Sequence, residues 1–372
     1  MQGPVIMTVR AFLLVASLVT TATVARPCFA DGAPKQPSHN KLSKEQRVEF
    51  LRTAQVWTPV RVSEMDIRTG PPLQHAFEPD QLVECEYTPS EPTGSSKKFN
   101  CALDDGTVVK VRYGRDNGEV EGTVLASRLL WALGFGADAA YPVRVLCHGC
   151  SDDPWTKRGR TKDSHEFDVA TIERKAPGHE MHGDPDGWSW AELNMVDDTQ
   201  GGAPRSQRDA LKLLAVFIQH TDNKSVQQRL NCLPGGLKDD GPCTKPFLIV
   251  HDVGLTFGRA NYLNRNASSS VNFELWSTTP IWRDKDACVG HLSKSSTGTL
   301  GDPKIGEEGR AFLAGLLDQL SDAQLHDLFA IGHVEHRSRR PGSSAPPATV
   351  DEWVNAFKEK RAQIDSMRCP NS

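Results

Sequence analysis

The chain has 372 residues, 38% hydrophobic and 24% charged, with a formal net charge of −4. That length holds one large core or two moderate lobes, which excludes a small stapled scaffold, and the composition is that of an ordinary soluble globular protein. So small a net charge gives no overall attraction to nucleic acid or to an anionic membrane, and any polyanion would have to be met by local lysines and arginines.

The first segment carries an export signal. Arg10 precedes the apolar run Ala11–Thr20, and Cys28-Phe-Ala30 precedes Asp31. This is a positive n-region, a short h-region and a small residue at a cleavage point, so residues 1–30 are expected to be a signal peptide. The apolar run falls short of the ~20 residues that cross a bilayer, so no stable membrane span is expected after cleavage. Removing Cys28 leaves eight cysteines, an even number that suggests disulfides in an exported chain. Spacing suggests Cys85–Cys101, Cys147–Cys150 and Cys232–Cys243, leaving Cys288–Cys369 by elimination. Zinc at Cys147-His-Gly-Cys150 would need about four ligands, and no second CxxC or HxxxH exists to supply them.

Residues 31–79 read as an N-terminal extension, polar at first and then a short helix from Lys44 to Ala54. From residue 80 to 175 the chain is rich in strands. Gln81–Tyr87, Phe99–Leu103 and Thr107–Tyr113 form a three-stranded antiparallel meander, with Asp104-Asp-Gly106 as a hairpin turn. A helix follows, capped by Asn117, with Glu119 and Glu121 in its first turn and Val124, Leu125, Leu129, Leu130 and Leu133 at helical spacing. Tyr141–Leu146 and Phe167–Glu173 are two further strands. Residues 176–335 are mostly helical, with an amphipathic helix at Ser206–Gln219, a buried strand at Phe247–Val250 and paired helices at Glu307–Leu320 and Ser321–Ile331. A linker and a last helix, Asp351–Met367, occupy 336–372. The order gives an α+β fold of two lobes, an antiparallel β-rich N-lobe with one helix and a mainly helical C-lobe.

Three short stretches carry chemistry. Alternation on the third strand puts Val108, Lys110 and Arg112 on one face, so Lys110 beside an apolar Val108 can neutralise phosphate oxygens while a helix glutamate orients it. After the long helix comes His220-Thr-Asp222-Asn-Lys224-Ser-Val-Gln227, in which a carboxylate can accept a hydroxyl proton, a lysine can meet a phosphoryl group and an amide can ligate a metal. At the exit of the buried strand, His251-Asp252-Val-Gly254 places a hard oxygen ligand suited to magnesium. Each stretch is commonplace alone; their order is informative.

In that order the sequence resembles the protein-kinase-like superfamily, particularly its atypical branches: HipA-type, phosphatidylinositol-kinase-like and secretory-pathway kinases. The resemblance runs through short motifs over roughly residues 80–335. It implies that Lys110 pairs the nucleotide phosphates and that Glu119 or Glu121 is its helix partner. It further implies that Asp222 is the catalytic acid, with Lys224 the lysine two places later, and that Asp252 is the metal-binding acid. Ile172-Glu173-Arg174 falls where the adenine-contacting hinge lies. The chain departs from the pattern at Thr221 in place of arginine and at Gln227 in place of the metal-binding asparagine. The loop at 88–98 has one glycine, Gly94, and would hold phosphates through Ser95, Ser96, Lys97 and Lys98. No Ala-Pro-Glu element follows Asp252.

The expectation is an exported ATP-dependent phosphotransferase using Mg²⁺ or Mn²⁺, held by Asp252 and Gln227, with a protein, sugar or lipid hydroxyl as acceptor. A catalytically silent nucleotide- or ligand-binding module, and a transferase of AMP rather than phosphate, stay open beside it. His165, His179 and His182 with nearby acids fit no standard zinc spacing and read as solvated loop. Trp188 and Trp190 read as packing residues. There is no Gly-x-Ser-x-Gly elbow. Asn223-Lys-Ser225 and Asn266-Ala-Ser268 match glycosylation sequons.

Overall fold

Alternating apolar residues build the first half of the chain, and long-range pairing closes it. A computed structural model describes residues 1, 3, 41–90, 94–237, 242–258, 269–293, 295–340 and 342–370. The apolar run Ala11–Thr20, the cleavage point at Ala30 and the sequon at Asn266 lie outside these residues. No helix among the described residues is long and apolar enough to cross a membrane.

Helix α1 (Lys44–Thr53) starts on a capping box between Ser43 and Gln46. Strands β1 (Gln81–Thr88), β2 (Lys98–Ala102) and β3 (Val108–Tyr113) pair as the expected antiparallel meander, turning at Gly106, whose φ of 80° suits glycine. Helix α2 (Glu119–Ala132) follows. Its N-cap is Gly118 rather than Asn117, whose side chain instead accepts from the Glu119 backbone N at 3.3 Å.

Strands β4 (Ala139–His148) and β5 (Ser164–Arg174) do more than extend the meander. The order β1-β2-β3-β5-β4 closes into a barrel, because β4 pairs antiparallel with β5 on one edge and parallel with β1 on the other. The expectation was a three-stranded meander and two further strands, with no closure specified. The closing pair joins Gln81–Glu86 to Val143–His148, and nothing local in either strand specifies so distant a partner. The inward residues, among them Tyr87, Phe99, Val111, Tyr141 and Ile172, are buried and form their own core.

After β6 (His179–Met181), helix α3 (Arg205–Phe217) presents a strongly amphipathic face to a second, larger core. Strands β7 (Gln228–Cys232) and β8 (Pro246–Val250) form a hairpin that β6 joins as a third strand. Helix α4 (Phe273–Thr278) and the short pair β9 (Trp282–Asp284) and β10 (Val289–Gly290) precede helices α5 (Glu307–Leu317), α6 (Asp322–Ile331) and α7 (Val350–Asp365). Trp276 and Trp353 stack at 5.3 Å in this core. The very short elements carry too few residues to show a period, which is why the sequence did not announce them. All four expected disulfides are formed, Cys85–Cys101, Cys147–Cys150, Cys232–Cys243 and Cys288–Cys369. Trp188 and Trp190 are fully buried in the larger core.

Candidate functional site

The site begins on the outward face of β3. Val109, Val111 and Tyr113 point into the barrel, so alternation turns Lys110 and Arg112 the other way. Arg112 is completely buried there. Its Nε donates to Glu173 Oε1 on β5 at 3.1 Å, and Nη1 pairs with Glu119 on α2. Nη2 donates to Asp252 Oδ1 beyond β8. One planar guanidinium thus holds carboxylates from a strand, a helix and a loop, which a lysine ammonium does not match in geometry. Ser96 is buried beside it, donating to Glu119 Oε2 at 2.7 Å and accepting from Arg112 Nη1 at 3.3 Å.

This corrects one expected pairing. Lys110 makes its ion pair with Glu173, its register partner on β5, and not with a glutamate of the helix. The cation that reaches the helix is Arg112, and the glutamate it reaches is Glu119. Glu121 lies buried away from this network, with both carboxylate oxygens unpartnered. Burial pushes its pKa up to about 7.

The opposite wall is built from two loops that the β7–β8 hairpin holds together. Gln228 pairs with Val250, so Gln227 and His251 meet although 24 positions separate them, and His251 N donates to Gln227 O at 3.1 Å. From the other direction, α3 delivers His220 to Lys224. Asn223 is fully buried and pins this segment: Nδ2 donates to His220 O and Leu300 O, and Oδ1 accepts from the N–H groups of Thr299 and Leu300. A side chain so enclosed gives the sequon at Asn223 no access to a glycosylating enzyme in the folded state.

Gln227 joins the two acids. Its Nε2 donates to Asp222 Oδ2 at 2.9 Å and to Asp252 Oδ2 at 3.1 Å. Lys224 Nζ stands 3.2 Å from Asp222. Asp252 has φ of 54°, a left-handed conformation that aspartate tolerates better than most residues. Gly254 lets α2 lie directly on this turn. A Cβ at Gly254 would stand 2.8 Å from Glu119 Cβ, and one at Gly122 would stand 2.2 Å from Gly254 O.

Between the walls lies a cleft of about 450 Å³ lined by Lys98, Lys110, Lys224, Gln227, His251 and Asp252, among others. Its electrostatics favour ionised acids beside cations. Burial alone would raise Asp252, but Arg112, Lys110 and His251 hold it well below the usual carboxylate range. Glu173 is likewise disfavoured by burial and yet lowered to about 2 by Arg112 and Lys110. Glu119 goes the other way: its burial outweighs Arg112, and the nearby charge of Asp252 adds to the rise. Lys98 is lowered by burial and by Arg112. Three lysines and Asp252 in the cleft lining, with Asp222 joined to Asp252 through Gln227, suit a ligand that carries both phosphates and a divalent cation.

The donor set fits such a cation. One atom, Gln227 Nε2, touches both Asp222 and Asp252, so the two carboxylates already converge on a single point. Gln227 Oε1 is turned away and accepts from Lys224 N at 3.1 Å. To act as a ligand it would rotate its amide.

No protein-family profile matches the chain, and no curated protein does. Among solved structures it is similar to the Helicobacter pylori proinflammatory kinase CtkA, at 9% identity and a TM-score of 0.38, covering 76% of this chain and 93% of that one. It is also similar to the Golgi casein kinase, at 10% identity and a TM-score of 0.34, covering 77% and 73%. A second structure of that kinase, with Mn/ADP bound, gives 9% and 0.31 over the same shares. These neighbours are kinases. TM-scores this low give the likenesses no weight, and the chemistry of the cleft rests on its own residues.

The structure therefore gathers Asp222, Lys224, Gln227, Asp252, Lys110, Glu119 and Glu173 into one cleft and its wall. It leaves four others outside the cleft lining. Val108 is 51% exposed, Ser95 is exposed, Glu121 is buried away from the network, and Ser96 faces the buried ion network. Sequence reasoning gave no role to Arg112, although alternation already placed it beside Lys110. It also passed over Asp138, whose Oδ2 pairs with His251 Nδ1 at 2.8 Å and whose Oδ1 bonds Arg229. No local pattern marks Asp138. Among the described residues, the only grouping of three or more histidine, cysteine or carboxylate ligand atoms within 4.8 Å is Cys85, Cys101 and Cys147, all in disulfides. His165, His179 and His182 form no such group.

Proposed function

We propose that the chain is an exported ATP-dependent phosphotransferase of two-lobed, kinase-like fold, with the β-rich lobe over residues 80–175 and the mainly helical lobe over 176–335. The observation that carries this is the Arg112 fork. It holds Glu119 and Glu173 on one wall of a lysine-lined cleft and reaches Asp252 on the other, where Gln227 joins Asp252 to Asp222. Lys110, Lys98 and Lys224 neutralise the phosphates of the nucleotide. Asp252 would hold Mg²⁺ or Mn²⁺, with Gln227 as the further oxygen donor once its amide has rotated, which leaves Asp222 free of the cation as the base. The bound cation supplies charge neutralisation at the transferring phosphate.

Asp222 takes the proton of the acceptor hydroxyl as its oxygen bonds to the terminal phosphorus, and ADP leaves with the electrons of the broken P–O bond. Lys224, beside Asp222, offsets charge on the transferring group. Four disulfides suit an oxidising, exported setting. One observation favours a second reading, a silent nucleotide-binding module: Gln227 places an N–H where a cation would sit between the two acids.

The test is mass analysis of the mature chain, purified under oxidising conditions and incubated with ATP and Mg²⁺ or Mn²⁺. Gain of a phosphate, abolished in Asp222→Asn, is the expected result. Gain of AMP would make it a nucleotidyl transferase. Thermal stabilisation by nucleotide without any transfer would make it the binding module.

A further inference from the structure

The barrel gathers four cysteines that the sequence keeps far apart. Alternation turns Cys85 on β1, Cys101 on β2 and Cys147 on β4 into the barrel core, each 2% exposed or less. Parallel pairing of β1 with β4 makes Cys85 and Cys147 register partners, and Cys101 pairs with Tyr87, two residues along β1. The sulfurs of Cys85, Cys101 and Cys147 all lie within 4.8 Å of one another. Cys150 is bonded to Cys147 and fully buried, so its sulfur joins the same cluster.

The spacing suits a thiophilic metal. Zn–S bonds of ~2.3 Å in a tetrahedron set the sulfurs ~3.8 Å apart. Cys101 Sγ and Cys147 Sγ belong to different bridges and already stand 3.7 Å apart. Cys147-His-Gly-Cys150 has the two-residue spacing of a zinc-binding pair, and Gly149, with φ of 73°, makes the turn that brings Cys150 back onto Cys147. The sequence holds no second such pair, but closure of the barrel supplies one from two strands, Cys85 and Cys101.

As a staple, Cys147–Cys150 has little left to do. It spans three positions, and so short a loop removes little freedom from the unfolded chain. The turn it closes is held without it. Gly149 N donates to Asp163 O at 2.9 Å, Thr161 N to Gly149 O at 3.0 Å and Thr161 Oγ1 to Cys150 O at 2.7 Å. A zinc tetrathiolate is a dianion, and a buried charge needs a cation near it. Arg160 answers that need: its Nε donates to Tyr87 O at 3.1 Å, and a Cβ at Gly149 would stand 4.0 Å from its Cγ.

We propose that Cys85, Cys101, Cys147 and Cys150 are a redox-controlled Zn²⁺ site, two disulfides when oxidised and one zinc tetrathiolate when reduced. Each bridge takes two electrons and two protons from a dithiol, which is oxidised to its own disulfide. The four thiols then lose their protons to water as the Zn²⁺ binds. The site lies inside the barrel, and the inference does not depend on the phosphotransferase reading.

The experiment reduces the mature chain anaerobically with a dithiol, removes the reductant and adds Zn²⁺ or Co²⁺. One ion per chain should be retained through gel filtration, and Co²⁺ should show the thiolate charge-transfer and tetrahedral ligand-field bands of a four-sulfur site. In mild denaturant, iodoacetamide should modify every cysteine of the metal-free reduced chain, and Zn²⁺ should abolish modification of these four alone, read by mass. Cys288→Ser/Cys369→Ser should keep the metal and Cys85→Ser/Cys101→Ser should lose it. Protection of the wild-type cysteines decides the question even where a variant does not fold. Zn²⁺ that leaves all the cysteines equally reactive, or a metal held equally by Cys85→Ser/Cys101→Ser, overturns the inference.

Discussion

The two faces of β3 belong to two different regions of the molecule. On the inner face Val109, Val111 and Tyr113 join a sealed apolar barrel that carries the Cys85–Cys101 and Cys147–Cys150 bridges. On the outer face Lys110 and Arg112 enter a charged cleft whose partners come from α2, β5 and the turn after β8. Burial is nearly as deep on both sides at Val111 and Arg112, but the physics differs. The barrel is held by non-directional apolar contact, which tolerates small losses. The cleft is held by one guanidinium that aims three carboxylates and holds two of them, Glu173 and Asp252, ionised.

The largest expected effect follows from that contrast. Arg112→Ala strands Glu119, Glu173 and Asp252 without their shared counter-charge, and breaking such a buried pair costs about 3–5 kcal/mol. Val111→Ala, one residue away on the other face, should cost only about 2 kcal/mol, as lost burial plus a small cavity. Denaturant melts compare the two directly. Nucleotide affinity should vanish in the first and survive in the second. Equal losses of stability, with affinity intact in both, would erase the distinction between the faces.

Closeness of α2 to the metal-proposed turn gives the next effect. Gly254→Ala drives a methyl to within 2.8 Å of Glu119 Cβ, so α2 must back away and loosen the Arg112–Glu119 pair. Overpacking of this kind costs about 1–3 kcal/mol. Weaker nucleotide binding is expected in proportion, measurable by titration calorimetry. Full affinity in Gly254→Ala would show that the helix position does not set the cleft.

The smallest effect is electrostatic and lies at the start of the loop that carries Asp222. His220 is fully buried, and burial lowers its pKa to about 4 from 6.5. The unfolded chain therefore binds a proton that the folded chain refuses between those values. Stability is fully present above pH 6.5 and declines as pH falls toward 4. In His220→Gln that part of the decline should flatten by one proton's worth of slope in a series of melts at stepped pH. An unchanged slope would mean that His220 is not buried neutral.

How much of this could be read in advance follows the same division. The inner face of β3 was legible because alternation specifies burial, and the disulfide partners were legible from spacing. Motif order singled out Asp222 and Asp252, and the structure joins the two through Gln227, even though both sit on loops. The partners across space were not. Arg112 stood on the correct face, but its partner Asp252 is 140 positions away, brought there by a hairpin register and a closed barrel. The preference of Arg112 over Lys110 for Glu119 arises from reach and burial, neither of which a strand pattern encodes. Val108 shows the converse, since facing the same way did not bring it into the cleft.

The central claim is that this cleft is a nucleotide and metal site. Titration calorimetry of a non-hydrolysable ATP analogue, with and without Mn²⁺, tests it most directly on the mature chain and on Asp252→Asn. One analogue should bind per chain, more tightly with Mn²⁺, and the Mn²⁺ dependence should disappear in Asp252→Asn. No binding by the wild-type chain, or binding that neither Mn²⁺ nor Asp252 affects, would contradict the account.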